Sequence, residues 1–220
     1  MDSMKLPRAI LFDWDDTLAE NCDGITAAYN AALSAFGLPP ITRAEVRARS
    51  RQSLRQQFPP IFGDHWEKAK DIFYSVFAMR HIDLLRAMPG APDLLRELRR
   101  RGIYMAVVSN KNGNPLREEV SALGWDAYFG KVVGATDAPA DKPDPQVVAM
   151  ALDGSGLSPG PDIWFAGDKD SDLICAANAG CVPVLVSPEE VKCQVEPVHH
   201  LPDCDAFKFL IARMFDTICL

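Results

Sequence analysis

Short apolar runs recur along this chain of 220 residues, and stretches with helical periodicity separate them. Most of these runs are uninterrupted, as expected for strands that are covered on both faces. The alternation predicts an α/β fold with a doubly wound, Rossmann-like parallel sheet. The five predicted strands are residues 9–12, 103–108, 132–133, 163–166 and 182–186.

The interval from residue 20 to residue 88 interrupts this alternation, because only helices are predicted within it. Three helices are expected, over about residues 25–36, 42–57 and 65–80. The interval is too long for a simple crossover between neighbouring strands. We therefore expect a helical cap over residues 20–88, inserted after the first strand of a catalytic core made of residues 1–19 and 89–220.

The composition argues against some classes of binding partner. The formal net charge of −7 and the pI near 5.1 argue against sequence-independent binding of nucleic acid or of an anionic membrane. No apolar run approaches the length of a spanning helix. Six scattered cysteines without a C-x-x-C pair favour reduced thiols. We expect a cytoplasmic monomer or homodimer with a small-molecule substrate.

Carboxylates follow two of the predicted strands. Asp13 and Asp15 come after the first strand, and Asp168, Asp170 and Asp172 come after the fourth. Aspartates also cap helices and fill turns, so either cluster alone is ambiguous. Both clusters, however, belong to the same edge of a parallel sheet. Two like charges about 4 Å apart repel by ~4 kcal/mol at an effective dielectric near 20, which calls for a cation. Oxygen ligands of this kind suit Mg²⁺ and phosphoryl chemistry.

Two further residues fit a phosphate. Ser109 ends the second predicted strand, and its hydroxyl can bind a phosphate oxygen. Lys142 lies between Asp141 and Pro143 just before a predicted helix, and lysine is a compact positive charge suited to phosphate. Each residue also has an ordinary explanation, as a polar helix-entry residue or a solvated surface lysine.

Taken in order, these pieces resemble the four motifs of the haloacid dehalogenase superfamily of phosphohydrolases, and most of all its phosphoglycolate phosphatase-like branch. The resemblance spans about residues 8–186, and the helical insert resembles the family's four-helix cap. Asp16 stands where that branch often has glycine. The matching segments are Asp13-Trp14-Asp15-Asp16-Thr17, Ser109-Asn110, Lys142-Pro143 and Gly167-Asp168-Lys169-Asp170-Ser171-Asp172.

The resemblance implies a role for each matching residue. Asp13 is expected to attack phosphorus and form an aspartyl-phosphate, and Asp15 to act as general acid and then general base. Thr17 is expected to orient Asp15 or its loop. Ser109 and Lys142 are expected to hold the transferring phosphoryl oxygens.

The metal and the neighbouring substrate contacts are implied in the same way. Mg²⁺ is expected to bind the carboxylates of Asp13 and Asp168 and the backbone carbonyl of Asp15. Asp172 is expected to act through water or beside the metal. Asn110, next to Ser109, is expected to contribute to substrate binding.

A run of arginines lies in the predicted cap, in an otherwise acidic chain. An exposed helix face explains most of them. Residues 50–53 align loosely with the cap loop that faces the site in the phosphoglycolate phosphatase-like branch. We therefore predict that Arg51, or failing that Arg49, binds a second anionic group of the substrate.

The expected function is Mg²⁺-dependent hydrolysis of a small phosphorylated metabolite, such as phosphoglycolate, a nucleotide or a sugar phosphate. A phosphosugar mutase of the beta-phosphoglucomutase type shares all four motifs and stays open. A non-enzymatic phospho-acceptor domain is disfavoured by the pair Asp13 and Asp15 and by the helical insert.

Overall fold

The computed structural model describes residues 6–49 and 53–218. The chain divides into two compact units. One contains the chain up to Ala19 and from Ala87 onward, and the other is Glu20–Arg86. Each unit has its own hydrophobic core. Within the described ranges, no helix combines the length and the apolar character that crossing a membrane requires.

Eight strands form in the described part of the chain. β2 and β3 form a small sheet of their own, and the remaining strands form a parallel sheet in the order β5-β4-β1-β6-β7-β8. In chain order the strands are β1 (Ala9–Phe12), β2 (Ala19–Glu20), β3 (Arg86–Ala87), β4 (Tyr104–Val108), β5 (Lys131–Val133), β6 (Ile163–Gly167), β7 (Val182–Val186) and β8 (His199–Leu201).

The helices of the described residues alternate with these strands in the first unit and make up the second almost entirely. They are α1 (Cys22–Ala35), α2 (Arg43–Arg49), α3 (Leu54–Phe62), α4 (Trp66–Leu84), α5 (Ala91–Arg100), α6 (Gly113–Ala122), α7 (Gln146–Leu152), α8 (Asp170–Asn178) and α9 (Cys204–Ile218).

β1 lies in the middle of the large sheet. It pairs with β4 on one side and with β6 on the other, and Ala9 stands opposite both Tyr104 and Ile163. Every residue of β1 and β6 is buried, which explains their continuous apolar sequences. The prediction of a doubly wound parallel sheet is confirmed. Asp13, Ser109 and Asp168 directly follow β1, β4 and β6, so the sheet brings them to one edge.

The sheet has six strands in the described residues, where five were predicted. The additional strand is β8, whose sequence His199-His200-Leu201 contains no apolar run. It pairs with β7 at the edge of the sheet. The imidazole ring of His199 lies 4.7 Å from the ring of Trp164, centroid to centroid, which adds a packing contact.

The core of the second unit is aromatic. Tyr29 of α1, Phe58 of α3 and Phe73 of α4 are buried against one another, with ring centroids 5.2 to 6.0 Å apart. The single helix predicted over residues 42–57 is wrong. α2 ends at Arg49 and α3 begins at Leu54, and the backbone of Ser53 is extended, with φ −70° and ψ 162°.

Candidate active site

The loop after β1 carries Asp13 and Asp15 in fixed positions. The amide of Asp13 donates to the carbonyl of Ala166 at 2.9 Å, which continues the pairing of β1 with β6. The carbonyl of Trp14 then accepts from the amides of Leu18 and Ala19, both at 3.0 Å. This tight turn keeps both carboxylates at the carboxyl edge of the sheet.

The turn requires an unusual backbone conformation at position 16, where the branch that the sequence resembles often has glycine. Asp16 has φ +64°, in the left-handed region. Glycine adopts this conformation without strain, and aspartate is among the residues that tolerate it. Asp16 therefore keeps the turn while it adds a carboxylate near the site.

Lys142 joins two of the predicted carboxylates. Its Nζ lies 2.6 Å from Oδ1 of Asp13 and 2.8 Å from Oδ1 of Asp172. All three side chains are at least nine-tenths buried. Burial by itself would raise the pKa of Asp13, but the ammonium groups of Lys142 and Lys169 outweigh it and hold that pKa below its usual value. Asp13 is therefore ionised.

Asp13, Asp168 and Asp172 form a candidate metal centre. One carboxylate oxygen from each lies within 4.8 Å of the others. Burial and the charges of Asp13 and Asp172 raise the pKa of Asp168 to about 7, although Lys169 opposes this. Burial likewise raises the pKa of Asp172, with Lys142 opposing it. Converging oxygen ligands with excess negative charge suit a divalent cation such as Mg²⁺.

Thr17 supports this centre. Its hydroxyl donates to Oδ1 of Asp168 at 3.4 Å, and the side chain is buried. Thr17 was expected to orient Asp15 or its loop. The contact indicates a different role, in which Thr17 orients the carboxylate of Asp168.

Ser109 and Asn110 follow β4. The amide of Ser109 donates to the carbonyl of Val133 at 2.9 Å, so the residue continues the strand. The side-chain amide of Asn110 brackets the backbone of Lys142: its Oδ1 accepts from the Lys142 amide at 2.9 Å, and its Nδ2 donates to the Lys142 carbonyl at 3.3 Å. Asn110 therefore fixes the segment that carries Lys142, and its predicted contact with substrate stays a prediction.

Three side chains that have no predicted role are linked to Asp15 through a chain of polar contacts. The Nζ of Lys111 lies 2.8 Å from Oδ1 of Asp15 and 2.6 Å from Oε2 of Glu119. The indole Nε1 of Trp14 donates to the same oxygen of Glu119 at 2.6 Å. Burial and the charges of Glu119 and Asp13 raise the pKa of Asp15 to about 6, with Lys111 opposing this.

A fourth unassigned residue is Lys169, whose Nζ lies 2.8 Å from Oδ2 of Asp168. Lys111 directly follows Ser109-Asn110, and Lys169 directly follows Asp168. Their position beside predicted site residues at strand ends is the signal that could have found them.

The predicted arginine contacts lie in the second unit. The guanidinium carbon of Arg49 is 5.9 Å from the centroid of the Tyr29 ring, a cation–π contact. Arg51 lies outside the described residues. The prediction that either residue binds substrate stays a prediction.

Comparisons with known proteins place the chain in a family. A family model described as haloacid dehalogenase-like hydrolase matches residues 10–186. Phosphoglycolate phosphatase 1 of Pseudomonas aeruginosa is 30% identical over 186 residues, which cover 80% of this chain and 68% of the relative. The phosphoglycolate phosphatase of Caulobacter vibrioides is 31% identical, with 81% and 78% covered.

A solved structure shows the same fold. The crystal structure of a predicted phosphoglycolate phosphatase from Haemophilus somnus superposes with a TM-score of 0.83 at 24% identity, covering 94% of this chain and 99% of that one. With the family model and the two relatives, this supports the predicted resemblance. The chain belongs to the haloacid dehalogenase-like hydrolases and is an enzyme of the phosphatase class.

Proposed function

We propose that this enzyme hydrolyses a small phosphomonoester in the presence of Mg²⁺, through an aspartyl-phosphate formed on Asp13. The observation that carries the proposal is the buried, ionised Asp13, held by Lys142 at 2.6 Å within a group of three carboxylates. Phosphoglycolate is the first substrate to test, because two relatives about 30% identical are phosphoglycolate phosphatases by name. Nucleoside monophosphates and sugar phosphates follow.

The first half of the proposed reaction needs an ionised nucleophile and a proton donor. A carboxylate oxygen of Asp13 bonds to phosphorus as the bond from phosphorus to the leaving oxygen breaks. Asp15 donates a proton to that oxygen, which therefore leaves as a neutral hydroxyl group of the product. Only Trp14 separates Asp13 from Asp15 at the turn, which suits both carboxyl groups to act on one phosphoryl group.

The second half reverses the role of Asp15. Its carboxylate, now deprotonated, removes a proton from a water molecule that attacks the phosphorus of the aspartyl-phosphate. The bond between phosphorus and the Asp13 oxygen breaks, inorganic phosphate leaves, and both aspartates return to their starting states.

Two residues are proposed to bind the phosphoryl oxygens during both steps. The Lys142 ammonium neutralises part of their charge, and the Ser109 hydroxyl donates a hydrogen bond. Asn110 holds the backbone of Lys142 in place through the two contacts described above. These preorganised donors stabilise charge where it develops in the transition state.

The carboxylates of Asp13, Asp168 and Asp172 are the residues that would hold Mg²⁺, and the family resemblance adds the backbone carbonyl of Asp15. When bound, the ion acts as a Lewis acid toward the phosphoryl oxygens. Asp168 is kept in place by the hydroxyl of Thr17 and the ammonium of Lys169.

A cytoplasmic location is part of the proposal. Four cysteines are buried as free thiols, which is usual in a reducing compartment. They are Cys22, Cys175, Cys181 and Cys204.

Phosphate release from a panel of phosphomonoesters tests the proposal, and the panel includes phosphoglycolate. We expect Mg²⁺-dependent release by the wild type. Asp13→Asn should lower kcat by about 1,000-fold or more, because the amide cannot act as the nucleophile. Asp153→Asn is the matched control, since that aspartate is three-quarters exposed, and it should keep wild-type activity.

Circular dichroism shows whether Asp13→Asn is folded. A folded Asp13→Asn protein with near wild-type turnover would refute the assignment of the nucleophile. Phosphoryl transfer back to a sugar without phosphate release would identify a mutase instead.

A further inference from the structure

The side chains around Asp15 form a closed network. Lys111 contacts Asp15 at 2.8 Å and Glu119 at 2.6 Å. Glu119 in turn accepts from the indole of Trp14 at 2.6 Å. Trp14 directly precedes Asp15 in the chain, so the backbone between these two residues closes the network. Trp14 is completely buried and packs edge-on against Trp125, with centroids 5.8 Å apart.

The network is poorly suited to simple stabilisation. It places one ammonium against two carboxylates, and the side chains of Lys111 and Glu119 are 7% and 0% exposed. Removing such charges from water costs several kcal/mol per ion, and well-packed apolar side chains often serve stability as well or better. A buried charge of this kind at the edge of an active site calls for a role in the chemistry.

The geometry suits the orientation of a proton donor. The ammonium of Lys111 binds Oδ1 of Asp15, which leaves Oδ2 to carry the transferred proton. Lysine has a long flexible side chain, and Glu119 fixes its end. Glu119 lies in α6 and is itself fixed by the indole of Trp14. Lys111, Glu119 and Trp14 are therefore each held by two contacts.

We propose that Lys111, fixed by Glu119 and Trp14, is a positioning residue that orients the carboxyl group of Asp15 for proton transfer. The inference rests on the proposed function, in which Asp15 serves both half-reactions. Lys111 acts through Asp15 and makes no bond to the substrate. Its loss should therefore lower kcat and leave KM almost unchanged.

Two aryl phosphates that differ in their leaving group distinguish a positioning role of Lys111 from a general structural defect in the variant. Phenyl phosphate has a poor leaving group and needs the acid, whereas dinitrophenyl phosphate has a good one and does not. With phenyl phosphate, Lys111→Met should lower kcat about 100-fold, within the usual contribution of general acid–base catalysis. Lys131→Met is the matched control, because it removes an exposed lysine paired with Asp153, and it should behave as wild type.

With dinitrophenyl phosphate, Lys111→Met should form the aspartyl-phosphate at the wild-type rate but hydrolyse it slowly, because only the second step then needs Asp15. Stopped-flow measurement should show a burst of about one dinitrophenolate per active site. A structural defect would slow the burst as well as the later turnovers, and that result would overturn the inference. So would unchanged kinetics with both substrates.

Glu119→Gln provides a second variant that preserves the size of the side chain. It should give the same pattern with a smaller loss of kcat, about tenfold, because the amide still accepts a hydrogen bond but lacks the charge. If Lys111→Met does not fold, the absence of this pattern in Glu119→Gln contradicts the inference. A wild type without phosphate release, or an active Asp13→Asn, would instead refute the proposed function.

Discussion

Residues of one type take different roles in this site because their charged neighbours differ. Asp13 contacts Lys142 directly and has a pKa below the usual value. Asp168 is partly buried and contacts Lys169, but burial together with the charges of Asp13 and Asp172 outweighs that ammonium and raises its pKa to about 7. The first is prepared to attack as an anion. The carboxylate of Asp168 needs a further positive charge nearby, such as a bound cation, to be stable in its ionised form.

A metal titration tests this difference. After treatment with a chelator, activity should vanish and should return with Mg²⁺. Asp168→Asn should raise the Mg²⁺ concentration needed for half-maximal activity about tenfold or more, because one charged ligand is lost. Asp153→Asn again serves as the exposed control. Full activity in excess chelator would contradict the metal centre.

The sequence identified the residues that meet at the strand ends because each follows an apolar run. It could not identify the partner of Lys111. A lysine's partner depends on which carboxylate the fold brings near, and Asp15 is 96 positions away in the chain. Glu119 likewise looks like an ordinary polar residue of a helix until its complete burial is known.

Elements were predictable where one local signal dominated. β1 and β7 have the predicted bounds, because a short continuous apolar run marks each of them. β8 was missed, since pairing with β7 rather than apolar character defines it. The break between α2 and α3 was missed as well, although its signal was present. Ser53 and Gln56 form a capping box, in which the Ser53 amide donates to Oε1 of Gln56 at 3.3 Å.

Close packing of β5 against the start of α6 gives a prediction for stability. A Cβ added to Gly134 would lie 2.5 Å from the backbone of Gly113 and 2.7 Å from the carbonyl oxygen of Lys111. Backbone must therefore shift, so Gly134→Ala should lower the free energy of unfolding by about 1–3 kcal/mol. Urea denaturation followed by circular dichroism measures the change.

Gly160→Ala is the matched control. The nearest atom to a Cβ at that position is Oδ1 of Asp162 at 3.5 Å, an ordinary contact. This variant should stay within about 0.5 kcal/mol of wild type. Equal losses in the two variants would show that the close approach at Gly134 has no energetic consequence.

At the scale of the whole molecule, five arginines of an acidic chain fall within residues 43–55. Several arginines of the helical unit already have partners. Arg43 pairs with Glu20 and Asp23, Arg47 pairs with Glu20, and Arg49 lies against the ring of Tyr29. These contacts make the three arginines part of the unit's own structure.

The prediction on substrate selection therefore falls first on Arg51. With the best phosphomonoester of the panel that carries a second anionic group, Arg51→Ala should raise KM more than about tenfold, a loss of about 1.4 kcal/mol. Arg49→Ala is the second candidate. Steady-state kinetics with phenyl phosphate should change little, because that substrate has no second anion.

Arg43→Ala is the control for loss of an arginine from the same run, and its KM should match wild type because its guanidinium is engaged in ion pairs. An unchanged KM in both Arg51→Ala and Arg49→Ala would show that selection depends on other residues.

The central position of β1 has a consequence for how the protein is made. β1 ends at residue 12, but its two neighbours begin at residues 104 and 163. At ~5–20 residues per second, a ribosome needs roughly 8 to 30 s to supply the second neighbour. Until then at least one edge of this hydrophobic strand stays unpaired, and such an edge is prone to aggregation. A chain released before residue 163 would also lack Asp168, and it would therefore be inactive. Such a chain would have to be bound by chaperones or degraded.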